Sequence, residues 1–150
     1  MNYLAIETST NICSVALFMN DTLILSKEIN TPRSHSKELG RLVEQLFIES
    51  NLKINIIDFI ALSSGPGSFT GLRIGSSLAK GIVYALELPI VMVPTLITLE
   101  SKIDILEQHC IGIYSHKDQV YKQEFENNKP ISKIELISVD QLNNNRLYGF

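Results

Sequence analysis

Two places in this 150-residue chain hold residue types that could bind an anion or a nucleotide. The first is Gly65-Pro66-Gly67-Ser68-Phe69-Thr70-Gly71-Leu72-Arg73-Ile74-Gly75, which follows the apolar run Phe59-Ile60-Ala61-Leu62 and precedes a long stretch of small and apolar residues. Glycines admit positive φ and close approach of a ligand to the backbone, and the free N–H groups that open a helix attract anions. The second is Glu7, a carboxylate at the end of an apolar run, just before Thr8-Ser9-Thr10-Asn11. A carboxylate there, with Ser9, Gly65, Gly67, Ser68 and Thr70, would be the set that touches a phosphate.

Neither place matches a standard nucleotide fingerprint. A Walker loop ends in Gly-Lys-Ser/Thr, whereas Gly71 is followed by Leu72 and Arg73. A dinucleotide fingerprint needs a third glycine where Thr70 stands. Glu7 has no adjacent glycine to let phosphate near the backbone. The structural alternative is a tight turn feeding a helix.

Other reactive residues are sparse. His35, His109 and His116 fall at no i, i+3 or i, i+4 spacing, so no helix presents two imidazoles to a metal. His35 reads as a solvated or helix-capping residue and His116 as part of a hairpin connection. A Ser68–His35–Asp58 triad can be drawn, but nothing in the sequence positions it. Cys13 and Cys110 lie in apolar runs, far apart, and read as buried reduced thiols.

Composition narrows the class. Hydrophobic residues are 45% of the chain and net charge is −3. Lysine and arginine form no cluster, which argues against tight unaided binding to tRNA or DNA. The longest apolar run, Leu88 to Ile97, is about half the roughly 20 residues a bilayer needs. With no basic leader before Tyr3, the expectation is a soluble cytoplasmic protein.

The elements that must position these residues follow from periodicity. Residues 2–8, 12–19 and 22–29 read as a three-stranded antiparallel meander, with Asn20-Asp21 as a hairpin turn. The second strand is nearly all apolar, which predicts cover on both faces. A helix is expected over Ser36–Ser50, N-capped by Ser34 or Ser36, with Leu39, Leu42, Val43, Leu46 and Phe47 on one face. After a connector at Asn51–Asp58 come the strand at Phe59 and a helix over Thr70–Leu86. That second helix carries only Arg73 and Lys80 as charges and has Gly71, Gly75 and Ala79 at four-residue spacing. A helix apolar nearly all round is buried on more than one side, so it calls for a second partner. Ile90–Val93 reads as a strand and Leu96–Gln108 as a helix with Leu96, Leu99, Ile103 and Leu106 inward. The order predicts a mixed α/β sheet flanked by helices over 1–108, of ribonuclease-H-like or actin-like layout. From 109 to 150 the pattern turns to strands at Cys110–Ser115, Val120–Phe125, Ile134–Ile137 and 147–150, with an Asn127-Asn128 turn and one helical turn at Val139–Leu142. So short a piece would lean on the first domain.

Leu4-Ala5-Ile6-Glu7-Thr8-Ser9, Cys13-Ser14-Val15-Ala16-Leu17, the Gly65–Gly75 stretch and Leu88-Pro89-Ile90 together resemble the TsaB (YeaZ) family. The resemblance is close over 1–100 and thin beyond. It implies an actin-like (ASKHA) fold and a non-catalytic subunit of the machinery that installs threonylcarbamoyl on adenosine 37 of tRNAs reading ANN codons. Its implied partners are the catalytic paralogue TsaD and the ATPase TsaE, with tRNA met only through the complex and no membrane role. Pairing in that family uses the first two helices, which assigns the interface to Leu39, Leu42, Val43, Leu46, Gly71, Leu72, Ile74, Gly75, Leu78, Ala79 and Ile82. The same face implies a homodimer when TsaD is absent.

The catalytic paralogue carries His-x-x-x-His where this chain has Thr95-Leu96-Ile97-Thr98-Leu99. No metal or cofactor is therefore expected here, ATP and metal being confined to partner subunits. Where the family has Asp-Ala-Arg, this chain has Ser115-His116-Lys117, and typical members continue past Phe150. Two other readings stand beside this one: a small actin-like ATPase or kinase using Glu7, and a metallopeptidase, against which the missing histidine pair argues.

Overall fold

The computed structural model describes residues 1–30, 35–142 and 147–149, in two compact units. The first comprises 1–64 and 68–93; the second comprises 65–67 and 94–150. The boundary expected after residue 108 thus moves to 93. The cause is Leu96, which packs in a core with Ile111, Ile113 and Phe125 of the second unit.

In the first unit, β1 (Asn2–Glu7), β2 (Ile12–Met19) and β3 (Thr22–Asn30) form the expected meander. Asn20 and Asp21 both take positive φ, as a two-residue hairpin turn requires. β4 (Phe59–Ser63) pairs parallel to β1, and β5 (Ile90–Val93) parallel to β4, giving the order β3-β2-β1-β4-β5. This mixed sheet carries α1 (His35–Ser50) and α2 (Phe69–Leu86) on one face, the actin-like, ribonuclease-H-like arrangement. Pro32, Ser34 and Phe150, which figure in the expected elements, lie outside the described residues.

Registry explains the single covered face. Leu4 lies opposite Leu17 and beside Ile60, and Ile6 opposite Val15 and beside Leu62, so these six face the helices. α1 lays Leu39, Leu42, Val43, Leu46 and Phe47 on them, the periodicity read from sequence. The opposite face holds Tyr3 between Phe18 and Phe59, with ring centroids 4.7 and 4.9 Å apart. β2 alternates buried and half-buried residues and is not covered on both faces, because Ser14 and Ala16 occupy its second side. Both are small and carry no charge, so neither interrupts the nearly all-apolar reading of the strand.

α2 ends at Glu87, whose left-handed conformation (φ 56°) closes the last turn two residues before Pro89.

In the second unit, α3 (Thr95–Glu100) is only six residues long, where thirteen or so were expected. It ends where Ser101 Oγ donates to Thr98 O at 2.8 Å and Lys102 N turns to Leu99 O at 3.2 Å, while Thr98 Oγ1 reaches Pro94 O at 3.2 Å beside the helical bond from Thr98 N. Such side chains compete for the carbonyls a helix would use. Leu106 is 60% exposed, not inward, while Leu99 and Ile103 do pack on the core. The second sheet has the path β10 (Leu147–Gly149), β6 (His109–Tyr114), β7 (Gln119–Glu126), β8 (Lys129–Pro130), with β9 (Glu135–Ser138) also on β7. β8 has no counterpart in the sequence reading, since a two-residue strand containing a proline carries no alternation. Asn127 and Asn128 take positive φ in the turn before it. The single helical turn is Val139–Gln141. The strands after residue 108 do lean on the preceding stretch, because Leu96, Leu99 and Ile103 complete the cluster of Ile111, Ile113 and Phe125.

Candidate functional site

The end of β1 and the start of α2 are built around hydroxyls and glycines. Ser68 caps α2: its Oγ accepts from Gly71 N at 3.1 Å, and its own N donates to Ser9 O at 2.7 Å. An N-cap serine of this kind is worth about 1 kcal/mol. The next turn of α2 lies directly on Thr8. A Cβ on Gly71 would collide with Thr8 O, and one on Gly75 with Thr8 Oγ1. Gly65 and Gly67 take φ of 90° and 155° on either side of Pro66, whose peptide bond is cis. Gly65 O accepts from Thr95 N at 3.0 Å.

Glu7 does not project as a lone carboxylate. Its Oε1 accepts from Ser9 N at 2.5 Å, so the side chain folds back on its own turn. Ser9 Oγ and Thr8 Oγ1 are buried and have no protein hydrogen-bond partner among the described residues. Thr70 is exposed at the first turn of α2.

The histidine readings resolve simply. His35 is buried, not solvated, and Nε2 donates to Thr10 O at 3.0 Å, which ties the start of α1 to the β1–β2 turn. Asp58 accepts from Asn2 N at 2.7 Å at the start of β4, so Ser68, His35 and Asp58 are each committed elsewhere and form no triad. His116 lies in the β6–β7 hairpin with Nδ1 3.2 Å from Ser115 Oγ. Among the described residues, no group of three His, Cys, Asp or Glu could hold a metal ion. Cys13 and Cys110 are buried free thiols, both pushed above the ordinary thiol pKa by desolvation first. For Cys13 the Glu38 carboxylate adds to the rise.

The α1–α2 face is the other candidate. Leu39 and Leu46 are fully buried, as are Gly71, Gly75 and Ala79. Leu42 and Val43 keep only 7% and 6% of their surface. The five side chains among them pack into the core under the chain's own sheet, and Gly71 and Gly75 lie against Thr8, so these seven residues are covered within the chain itself. The small residues of α2 let it sit close to β1 and β4, and Leu72, Ile74, Leu78 and Ile82 remain half-buried. The outward surface is made by residues the sequence reading did not choose. Phe69 is 73% exposed, Tyr84 90% and Ile48 68%. Arg73 sits over the Phe69 ring, 5.4 Å from its centroid. Between α1 and α2 runs a groove of about 490 Å³ lined by Leu39, Gly40, Phe69, Arg73, Ile74 and Leu78 among others. The available signal was the pair of aromatics at positions off the glycine stripe.

Among the described residues, no helix is long and apolar enough to cross a membrane.

Comparison with known proteins bears on both candidates. A protein-family model described as TsaD: tRNA N6-adenosine threonylcarbamoyltransferase matches residues 24–140. The tRNA threonylcarbamoyladenosine biosynthesis protein TsaB of Escherichia coli (strain K12) is 39% identical over 99 residues, 66% of this chain and 42% of that protein. The TsaB of Buchnera aphidicola subsp. Acyrthosiphon pisum (strain APS) is 28% identical over 133 residues, 84% of this chain and 58% of that protein. In three dimensions, YeaZ from Pseudomonas aeruginosa superposes with a TM-score of 0.80 at 27% identity, covering 95% of this chain and 69% of that one. The chain thus spans about half the length of the curated relatives it matches.

Proposed function

The chain belongs to the TsaB (YeaZ) family, within the wider family that the threonylcarbamoyltransferase model describes, and from that premise we propose that it is a non-catalytic scaffold subunit. It binds the catalytic TsaD subunit through the outer face of α1 and α2. The pair then serves N6-threonylcarbamoylation of adenosine 37 in tRNAs reading ANN codons, in the cytoplasm, with TsaE joining the pair and tRNA held by the complex. In the absence of TsaD the same face pairs two copies of this chain. The chain itself uses no cofactor.

The observation that carries this reading is the solvent side of α2. Phe69 and Tyr84 are 73% and 90% exposed on a helix that also flanks an open apolar groove. Large exposed aromatics beside a groove are the usual anchors of protein interfaces. The committed state of Glu7 points the same way, because its carboxylate is already held by Ser9 N.

The test is light scattering on size-exclusion fractions of this chain mixed with TsaD from the same cell. A one-to-one complex is expected. Two separate peaks at tens of micromolar would remove the proposal.

A further inference from the structure

The outward stripe of α2 has a chemistry of its own. Phe69, Arg73, Ser77, Lys80 and Tyr84 are all exposed and recur at three- and four-residue spacing, so they share one face. An aromatic stands at each end. The two cations between them are seven residues apart, about 10 Å along the axis. No acidic residue occurs anywhere in the 18 residues of α2.

Neither cation is answered within the chain. Among the described residues, no ion pair involves Arg73 or Lys80. Residues 31–34, 143–146 and 150, outside the described set, contain no Asp or Glu. On α1, Glu38 pairs with Arg41 at 3.5 Å and Glu49 with Lys27 at 2.6 Å. Glu44, the third acid of α1, lines the space between the helices and pairs with neither cation. Arg73 lies over Phe69 with its guanidinium carbon 5.4 Å from the ring centroid, and a guanidinium stacked in this way keeps its N–H edge open to a carboxylate.

The ground beside the stripe is apolar. A second groove of about 690 Å³, lined by Val43, Phe47, Leu52 and Ile82 among others, continues the first through Gly40 and Leu78. Such a floor suits the apolar side chains of a helix, and two cations are too few to hold a nucleic acid tightly.

We propose, given the pairing with TsaD proposed above, that this stripe reads an acidic signature on its partner. TsaD lays a helix along α2 whose apolar side chains enter the groove and whose two carboxylates, seven residues apart, meet Arg73 and Lys80. A second copy of this chain is the poorer occupant, because Glu38, Glu44 and Glu49 of α1 include no pair seven apart. Opposed charges at this spacing select the partner, set the register and speed the encounter.

The test is surface plasmon resonance of the intact chain over immobilised TsaD, at about 50 and about 500 mM salt. The wild-type association rate should fall about tenfold or more at the higher salt. Arg73→Glu/Lys80→Glu should weaken binding about a hundredfold at low salt and should no longer weaken as salt rises. Lys129→Glu/Lys133→Glu makes the same change of charge on exposed lysines of the second unit and should stay within about twofold of wild type. A melting curve of each variant checks its fold. Wild-type binding that the Arg73/Lys80 substitutions leave unchanged, or that the Lys129/Lys133 substitutions weaken as much, overturns the acidic signature and leaves the pairing with TsaD standing. No wild-type binding at all removes both. Binding of tRNA by the free chain, lost on substituting Arg73 and Lys80, also overturns it and assigns the stripe to RNA.

Discussion

The hydroxyl oxygen of Thr8 occupies the space where a side chain at position 75 would begin. One turn earlier, the carbonyl of the same threonine does the same to position 71. α2 therefore meets β1 through two glycines, and the contact is with one residue at the end of the central strand. The motif that first suggests a phosphate loop is, in its second half, a packing device.

That contact makes a paired prediction. Alanine normally adds up to about 1 kcal/mol to a helix over glycine, but overpacking costs about 1–3 kcal/mol or more. Gly75→Ala should therefore destabilise by about 1–2 kcal/mol, and Thr8→Ala should recover most of the loss, because it removes the colliding hydroxyl. Gly71→Ala should lose at least as much and should not be recovered by Thr8→Ala, since the obstacle there is backbone. Urea denaturation of the four variants and the Gly71→Ala/Thr8→Ala pair measures this.

Partner binding should separate from stability on the outer face of α2. Tyr84→Glu and Phe69→Glu alter exposed side chains and should move stability by no more than about 0.5 kcal/mol. Both should weaken the complex with TsaD by about 2 kcal/mol or more, as hot-spot aromatics do. Calorimetric titration against TsaD, with a melting curve of each variant, checks the two halves.

Glu7 supplies the contrast with a nucleotide-using relative. Titration of this chain with Mg-ATP should release no heat of binding, in wild type or in Glu7→Ala. The substitution should instead cost about 1 kcal/mol of stability through the lost bond to Ser9 N. Micromolar Mg-ATP binding that disappears in Glu7→Ala would favour the ATPase or kinase reading.

Alkaline pH should act through Cys13. Its folded thiol is raised above the ordinary value of 9.0 by burial and by Glu38, so the folded state keeps a proton that the unfolded state gives up. Protons bound to the folded state mean that stability falls as pH rises, beginning near 9. Cys13→Ala should flatten part of that fall between pH 8 and 10, read as denaturant midpoints.

The order of the first five strands, the reach of α1 and α2, and the asparagine turns are all written locally, in alternation, helical spacing and residues that accept positive φ. The glycine stretch is just as plain, and it pointed to the family before any fold was drawn. Other decisions belong to tertiary structure. Whether Gly71, Gly75 and Ala79 face a partner or the chain's own sheet depends on which side of α2 meets Thr8, and period alone marks a face without saying what covers it. α3 stops at Glu100 where Ser101 turns its hydroxyl onto the Thr98 carbonyl, a choice that apolar spacing through Leu106 conceals. Glu100 and His109 are nine positions apart on different elements, so only the packing of a short helix against a sheet brings carboxylate and imidazole to 3.9 Å.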